Sequence, residues 1–470
     1  MTDTSAPPYA SGPLLDVVSP ATGERVAQVP TASAADVAAA AQAARGAQPA
    51  WAATPLADRL AVLERFRALV AADVDDLAAI LTAETGKPIT QARNEVRGTL
   101  ARVDFVLEHA AEVVADEVVL DDPAEGLREI IRHEPLGVVA NISAWNYPWF
   151  VGVNVFAPAL ACGNAVLYKP SELCPGTGAA IGRLLHAAGV PDDVFIVLQG
   201  RGDVGAALLA QPVDGVFFIG SYATGRRIAE TVAPSLARLQ LELGGKDPTY
   251  VADDVDVRAA AESLADGAFY NAGQSCCSVE RIYVHEAVAD DFVAHFVDTV
   301  RAFVAGDPAD EATYLGPLTR PEQVAVLEAQ IDDAIAKGAS VRVGGHRVDR
   351  PGSWFEPTVL TDVDASMLVM RDESFGPIIG IQVVGDDDEA VAAMNDTEYG
   401  LTAGVYTADA DRAQGLLARL DAGSAYWNCC DRVSPRLPWS GRGHSGVGLT
   451  LSTHGIRAFT QPKALHLRSA

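Results

Sequence analysis

Apolar positions recur at helical spacing from Ser33 to Gln48, with Asp36 in the first turn, which predicts a helix there. Residues 55–85 keep the same period and predict one or two longer amphipathic helices, closed by Gly86. Between Glu117 and Arg132 polar and branched residues are mixed, a pattern that suits a hairpin arm projecting from the body. From Leu136 the rhythm changes. Short apolar runs at Val138–Ser143, Ala165–Tyr168, Val194–Leu198, Val216–Ile219 and Leu239–Leu243 read as strands. The stretches Gly152–Cys162, Thr177–Ala188, Val204–Leu209 and Thr224–Val232 between them read as helices. This alternation predicts an α/β fold with a parallel sheet covered on both faces. Ligands of such sheets bind at the carboxyl ends of the strands. A second α/β stretch runs from Gly244 to about Gly423 and ends in a segment rich in glycine, serine and proline; it is expected to form a catalytic domain.

With 470 residues, 49% of them hydrophobic, the chain can build two to three domains around a large core. Its 35 basic and 62 acidic residues leave a net charge of −27. Such a surface repels phosphate, so no nucleic-acid partner is expected. The start, MTDTSAPPYASGPLLDV, lacks the basic residues and apolar run of a secretory signal. The best membrane candidate, residues 151–167, is interrupted by Asn154, Pro158, Gly163 and Asn164, so no membrane span is expected. The six cysteines include the adjacent pairs Cys276–Cys277 and Cys429–Cys430, which do not look like a disulfide framework and fit a reducing cytoplasm. The nine histidines show no paired metal-binding spacing, and no metal is expected.

Several residues have the chemistry for a site. Cys276 follows a glycine-containing turn in a polar stretch, Asn271-Ala-Gly-Gln-Ser-Cys276; an arbitrary cysteine is more often a small buried apolar residue. Glu242 alternates with Leu239, Leu241 and Leu243 and so faces away from them, just before a Gly-Gly turn. A partly desolvated carboxylate there is suited to base work, whereas the ordinary reading is a salt-bridged strand glutamate. Asn146, directly after the first strand, has an amide able to donate to a developing oxyanion, or to serve as a helix N-cap. Lys169 and Glu172 follow the second strand and could hydrogen-bond ribose hydroxyls or simply form a solvated turn. Gly220-Ser221 with Gly225 opens a helix after a strand, a place that suits a pyrophosphate, although the six-residue glycine fingerprint is absent.

Taken together and in this order, the runs resemble the aldehyde dehydrogenase superfamily over nearly the whole chain. They are Glu134-Pro-Leu-Gly-Val-Val, Trp145-Asn146-Tyr-Pro148, Lys169-Pro-Ser-Glu172, Gly220-Ser221 with Gly225, Glu242-Leu-Gly-Gly-Lys246, Gly273-Gln-Ser-Cys276, Glu373-Ser-Phe-Gly-Pro377, Tyr399-Gly-Leu-Thr-Ala-Gly404 and Ser440-Gly-Arg-Gly-His-Ser-Gly446. The resemblance implies a Rossmann-like cofactor domain (1–113 and 136–244), a catalytic domain (245–445) and a small β oligomerisation arm (114–135 and 446–470). It implies oxidation of an aldehyde to the acid through a thiohemiacetal and a thioester on Cys276, with Glu242 as general base and Asn146 as oxyanion donor. It implies NAD as cofactor, with NADP possible, bound by Trp145, Lys169, Ser171, Glu172, Gly220, Ser221, Gly225, Leu243, Glu373 and Phe375. It also implies a cytoplasmic homodimer or homotetramer.

Counting from the same anchors, Tyr147, Val151, Asn154, Ser275, Arg432, Val433 and Trp439 should line the aldehyde pocket. A general pocket for medium-sized aldehydes, a semialdehyde whose carboxylate pairs with Arg432, and a trimethylammonium aldehyde held between Tyr147 and Trp439 all remain open. The chain departs from the common pattern at Ala144, Asn154, Tyr222 and Asp247, and at Thr450, which stands where many relatives carry a glutamate proposed to relay protons. The alternatives are a CoA-acylating relative, a branch that generally lacks the base glutamate, and a non-catalytic protein retaining the fold.

Overall fold

The computed structural model describes residues 8–469; residues 1–7 of the stretch tested above for a secretory signal, and Ala470, lie outside them. A two-stranded antiparallel sheet, Leu14–Val18 with Arg25–Pro30, opens the described chain, and four helices follow: Ala34–Ala53, Leu56–Ala72, Val74–Thr85 and Ile89–Val113. Ser33 caps the first by accepting from Asp36 N, and Asp36 returns a bond to the Ser33 backbone, a reciprocal capping box. Gly86 ends the third in the left-handed conformation, φ 75°. The fourth, the longest, has no counterpart in the sequence reading.

A six-stranded sheet follows, in the order Gly446–Val447, Arg238–Glu242, Gly215–Ile219, Val138–Ile142, Ala165–Lys169 and Phe195–Val197. All neighbours are parallel except Gly446–Val447, which pairs antiparallel with Leu241 and Glu242. The first strand in sequence lies inside the sheet, so the chain reverses direction beside it and opens a crevice at the strand ends. The strands Val138–Ile142, Ala165–Lys169 and Gly215–Ile219 are buried at every position, which is why they read as unbroken apolar runs. The helix expected from Gly152 begins a turn earlier, at Pro148, whose fixed φ and missing N–H suit the first helical position.

Residues beyond Gly245 form a seven-stranded sheet, parallel except for its edge strand Ser340–Val343. Glu117–Asp122 and Leu127–Pro135 form the expected hairpin, and Thr460–Arg468 joins them as a third strand. Of the last stretch, Gly446–Val447 belongs to the six-stranded sheet and only Thr460–Arg468 reaches the hairpin. Among the described residues no helix is long and apolar enough to cross a membrane.

Candidate active site

Glu242 ends its strand. Leu241 and Leu243 pack into the core behind the sheet, so alternation turns Glu242 to the opposite face, where it is buried. The Gly244–Gly245 turn then runs so close to the Cys276 loop that a Cβ on Gly245 would lie 2.7 Å from the Cys276 carbonyl oxygen. The Ser440–Gly446 run pins this turn from outside. Leu243 N donates to Ser445 O (3.1 Å), and Ser445 Oγ donates to Gly244 O (2.7 Å).

The Cys276 loop is itself forced. Asn271 and Ala272 both sit at φ 53°, a left-handed conformation that costs a non-glycine residue ~1–3 kcal/mol. Gly273 follows at φ 69°, and a Cβ there would meet Gly376 O at 2.3 Å. Three bonds hold the loop: Asn271 N to Gln91 Oε1 (2.9 Å), Gln274 Nε2 to Asn271 O (3.1 Å) and Thr319 N to Gln274 Oε1 (2.9 Å). The result brings Cys276 Sγ to 3.6 Å from Glu242 Oε1, across 34 residues of sequence. The two adjacent thiols are not equivalent. Cys276 is partly exposed, whereas Cys277 is buried and donates to Asp431 Oδ1 at 2.9 Å.

Burial raises the Glu242 carboxyl above its ordinary value, against the pull of Trp439, the Cys276 thiol and the Arg102 guanidinium. The Cys276 thiol is raised as well: Cys277 beside it lowers it, but burial and the negative charges of Glu242, Asp247 and Asp431 outweigh that effect. Asp431 is pushed up to about 6, chiefly by burial.

Asn146 precedes the helix Pro148–Ala161, but the N-cap position is Tyr147, so the asparagine does not cap the helix. Its carbonyl accepts from Lys87 Nζ (2.6 Å) and Asn271 Nδ2 (3.4 Å). Lys87 also forms a buried ion pair with Glu95, and its ammonium stands 3.7 Å over the Tyr147 ring. Glu95 in turn accepts from Trp149 N at 2.9 Å.

The residues read as cofactor-binding gather at the carboxyl ends of the parallel strands. Lys169 Nζ lies 3.7 Å from Glu172 Oε2, next to the buried Ser171. Ser221 caps the helix Tyr222–Val232, and Gly225 lies so tightly against Leu243 that a Cβ would come within 2.5 Å of that side chain. Glu373 Oε1 accepts from Gly245 N (3.0 Å), and burial pushes this carboxyl up to about 8. Trp145 and Phe375 meet edge to face, ring centroids 5.5 Å apart. A buried Lys246–Glu280 pair (2.6 Å) supports this corner, since Glu280 accepts from the Ser374 and Phe375 N–H groups. The exposed helix N-terminus at Ser221, with the carboxylates Glu172 and Glu373 among the residues gathered there, fits a dinucleotide.

A cavity of ≈ 620 Å³ opens on the other side of Cys276 and Glu242. Tyr147, Val151, Asn154, Ser275, Arg432, Val433 and Trp439 all line it. So does one face of the helix Ile89–Val113, through Gln91, Glu95, Gly98 and Arg102, along with Asp431. Sequence reasoning missed Lys87, Glu95, Arg102 and Asp431. Val96, Val103, Val106, Ala110 and Val113 recur three, four or seven apart, the signal that would have identified this helix.

The sequence model of the Aldehyde dehydrogenase family matches residues 9–465. Over 447 residues the chain is 38% identical to a succinate-semialdehyde dehydrogenase [NADP(+)] of Deinococcus radiodurans, covering 95% of this chain and 93% of that protein. It is 39% identical over 462 residues to a 3,6-anhydro-alpha-L-galactose dehydrogenase of Streptomyces coelicolor, covering 97% and 93%. A crystal structure of an NAD-dependent aldehyde dehydrogenase from Sinorhizobium meliloti superposes with a TM-score of 0.95 at 35% identity, covering 98% and 92% of the two chains. The chain belongs to the aldehyde dehydrogenase family. It is an NAD(P)-dependent oxidoreductase acting on an aldehyde group.

Proposed function

We propose that Cys276 is the nucleophile and Glu242 the general base. The contact between Cys276 Sγ and Glu242 Oε1 at 3.6 Å, at the inner end of the cavity, carries this reading. Glu242 takes the thiol proton, and the thiolate adds to the aldehyde carbon. The Asn146 side-chain amide and the Cys276 backbone N–H donate to the oxyanion. NAD(P), when bound, supplies the hydride acceptor that turns the thiohemiacetal into a thioester. Glu242 passes the thiol proton to solvent through the cavity, and as a carboxylate again it deprotonates a water that attacks the thioester carbon; the Cys276 sulfur leaves as thiolate and the carboxylic acid is released. Lys169 and Glu172 would hold the adenosine ribose, Trp145 and Ser221 the pyrophosphate, and Glu373 the nicotinamide ribose with Phe375 beside it.

The substrate we propose is a short aldehyde bearing a second polar group. Support comes from Asn154, Ser275, Arg102 and Arg432 in the cavity wall, and from relatives named for a semialdehyde and an anhydro sugar. We place the enzyme in the cytoplasm as a homodimer or homotetramer joined through the arm that residues 114–135 form with Thr460–Arg468. The edge strand Glu117–Asp122, with Val118 and Val119 exposed, supports that assembly. Our division into 1–113 with 136–244, and 245–445, is supported by the two large sheets, the strand Gly446–Val447 returning to the first of them.

The test uses Cys276→Ala and Cys277→Ala. Cys276→Ala is expected to abolish NADH formation from an aldehyde while NAD still binds by calorimetry. Retention of about a tenth of the rate, with loss in Cys277→Ala instead, would place the nucleophile one residue on. Running the wild-type reaction with and without CoA separates hydrolysis from acyl transfer, since only a CoA-acylating enzyme needs the thiol acceptor.

A further inference from the structure

Among the described residues three arginines are buried: Arg59, Arg102 and Arg281. A guanidinium carries five donors, and burying them unpaired is costly. Arg59 donates to the carbonyls of Ala161, Ala52 and Thr54. Arg281 donates to the carbonyls of Lys246, Ala393 and Met394 and to the Tyr283 hydroxyl. Arg102 is different. Among the described residues its guanidinium makes one hydrogen bond, Nη1 to Asn154 Oδ1 at 3.1 Å, and has no carboxylate within salt-bridge distance. It lies 4.0 Å over the Phe150 ring and lines the same cavity as Cys276. The acidic residues on that wall are already engaged: Glu95 with Lys87, Asp266 with the Tyr314 hydroxyl, Asp431 with the Cys277 thiol and Glu242 with the Cys276 thiol. Burial lowers Arg102 only to about 10, so it remains a cation at neutral pH.

We propose that Arg102 determines specificity by binding a carboxylate on the aldehyde substrate, with Asn154 as a positioning residue that orients the guanidinium. The inference rests on the reading of Cys276 as the nucleophile and adds the group that recognises the far end of the substrate. The unspent donors of a planar guanidinium match the two oxygens of a carboxylate. Phe150 beneath and Asn154 at one edge fix the plane, so little side-chain entropy is lost when the anion arrives. Arg432, which the sequence offers for this task, is itself exposed within the stretch 431–436 of the cavity wall and remains hydrated, where an ion pair contributes little.

The experiment compares 4-oxobutanoate with butanal, a pair equal in chain length that differs in the carboxylate, on wild type, Arg102→Met, Arg102→Lys, Asn154→Ala and Arg432→Ala. The readout is the ratio of kcat/KM for the two aldehydes. Arg102→Met is expected to lower that ratio roughly ten- to a hundredfold, the range for loss of hydrogen bonds to a charged group. Arg102→Lys should fall between it and wild type, and Asn154→Ala should raise KM for 4-oxobutanoate with kcat little moved. Equal losses on both aldehydes would assign Arg102 to supporting Glu242, and a ratio that falls only in Arg432→Ala would move the anchor there; either overturns the proposal. Should the Arg102 variants fail to fold, the wild-type enzyme still decides: 4-hydroxybutanoate, which is not a product of butanal and carries its carboxylate at the far end, should compete with butanal while the isosteric 4-hydroxybutanamide should not, and equal inhibition by the two refutes an anion site. Mass spectrometry of the acyl adduct on Cys276 reads the nucleophile assignment separately.

Discussion

The inner end of the cavity and its outer wall are built in different ways. At the inner end, Glu242, Cys276 and Asn146 sit on strand ends or a strained turn, and each is fixed through the backbone. Ser445 locks the turn after Glu242, Gln91 and Gln274 lock the turn before Cys276, and the buried Lys87–Glu95 pair locks Asn146. The outer wall is made of side chains on the helices Ile89–Val113 and Pro148–Ala161 and on the loop around Arg432; beyond the Glu95–Trp149 contact at the inner end, Arg102 to Asn154 is a side-chain bond that joins the two helices there. Bond-making needs reacting atoms placed within fractions of an ångström, whereas recognition needs only the right groups within reach. The contrast teaches that substrate range can change on this scaffold by exchanging helix side chains without moving the catalytic groups.

The largest effect belongs to the inner end. Glu242→Gln keeps the shape but removes the proposed base, and turnover should fall by ~10²–10⁴-fold. If acylation outruns hydrolysis in this variant, an acyl adduct should accumulate on Cys276 and appear by mass spectrometry after aldehyde and NAD are added. Near-normal steady-state turnover would remove the role from Glu242. Lys87→Met tests whether the inner end is as tightly supported as its bonds suggest. It leaves the Glu95 carboxylate buried without its partner, and broken buried pairs cost ~3–5 kcal/mol. Denaturant unfolding should register that loss, and the double variant Lys87→Met with Glu95→Met should recover part of it. A loss below about 1 kcal/mol would show that the pair is not the support drawn here.

The pH dependence sharpens the same comparison. Glu242 and Cys276 act in their deprotonated forms, and both are held above their ordinary values. Activity should therefore fall on acidification at a higher pH than an ordinary glutamate would give, and thiol acylation should keep rising into the alkaline range. Single-turnover rates and iodoacetamide labelling of Cys276 across pH read the two groups separately. Labelling that is independent of pH down to the acid range would contradict the raised thiol.

Much of the inner end was legible because its chemistry lies in short runs. Glu242 alternates with leucines ahead of a Gly-Gly turn, and Cys276 follows a glycine whose left-handed backbone the loop requires. The outer wall was legible only in part. Tyr147, Val151, Asn154 and Ser275 could be counted from neighbouring motifs, but Arg102 enters from a helix for which no element was read between Gly86 and Glu117. That helix has no side-chain cap, and its starting residue is preceded by Pro88, so its boundary signals are weak. A buried arginine also looks in sequence like any solvated one. Lys87 and Glu95 were hidden for a related reason: charged residues are almost never fully buried unless paired, and pairing is a tertiary fact.

Cofactor choice offers a smaller contrast, away from both ends of the cavity. A carboxylate at Glu172 accepts from a ribose hydroxyl but repels a 2′-phosphate, so NAD is expected to give the higher kcat/KM. Lys169, 3.7 Å away, offsets part of that repulsion. Glu172→Ser should then shift the NADP-to-NAD ratio toward NADP on the order of tenfold. A wild-type enzyme that already favours NADP, and whose ratio does not respond to Glu172→Ser, would refute this.

The smallest effect is expected at Thr450, where many relatives place a glutamate. Its side chain is fully buried, its backbone pairs with Trp439 in both directions, and its hydroxyl has no hydrogen-bond partner among the described residues. A hydroxyl placed this way cannot carry a proton as a carboxylate would, and it keeps part of its desolvation cost. Thr450→Val preserves the volume and removes the polar atom. Turnover should stay within about twofold of wild type, and unfolding stability should hold or rise by up to ~1 kcal/mol, since replacing an unpaired buried polar group by an apolar one of the same shape is nearly neutral or stabilising. Thr450→Glu should destabilise the fold, because Thr450 is fully buried and a carboxylate there would lose its hydration. Rate measurements on Thr450→Val that fall by about tenfold or more would instead make the hydroxyl part of the proton path and extend the catalytic end of the cavity to the C-terminal segment.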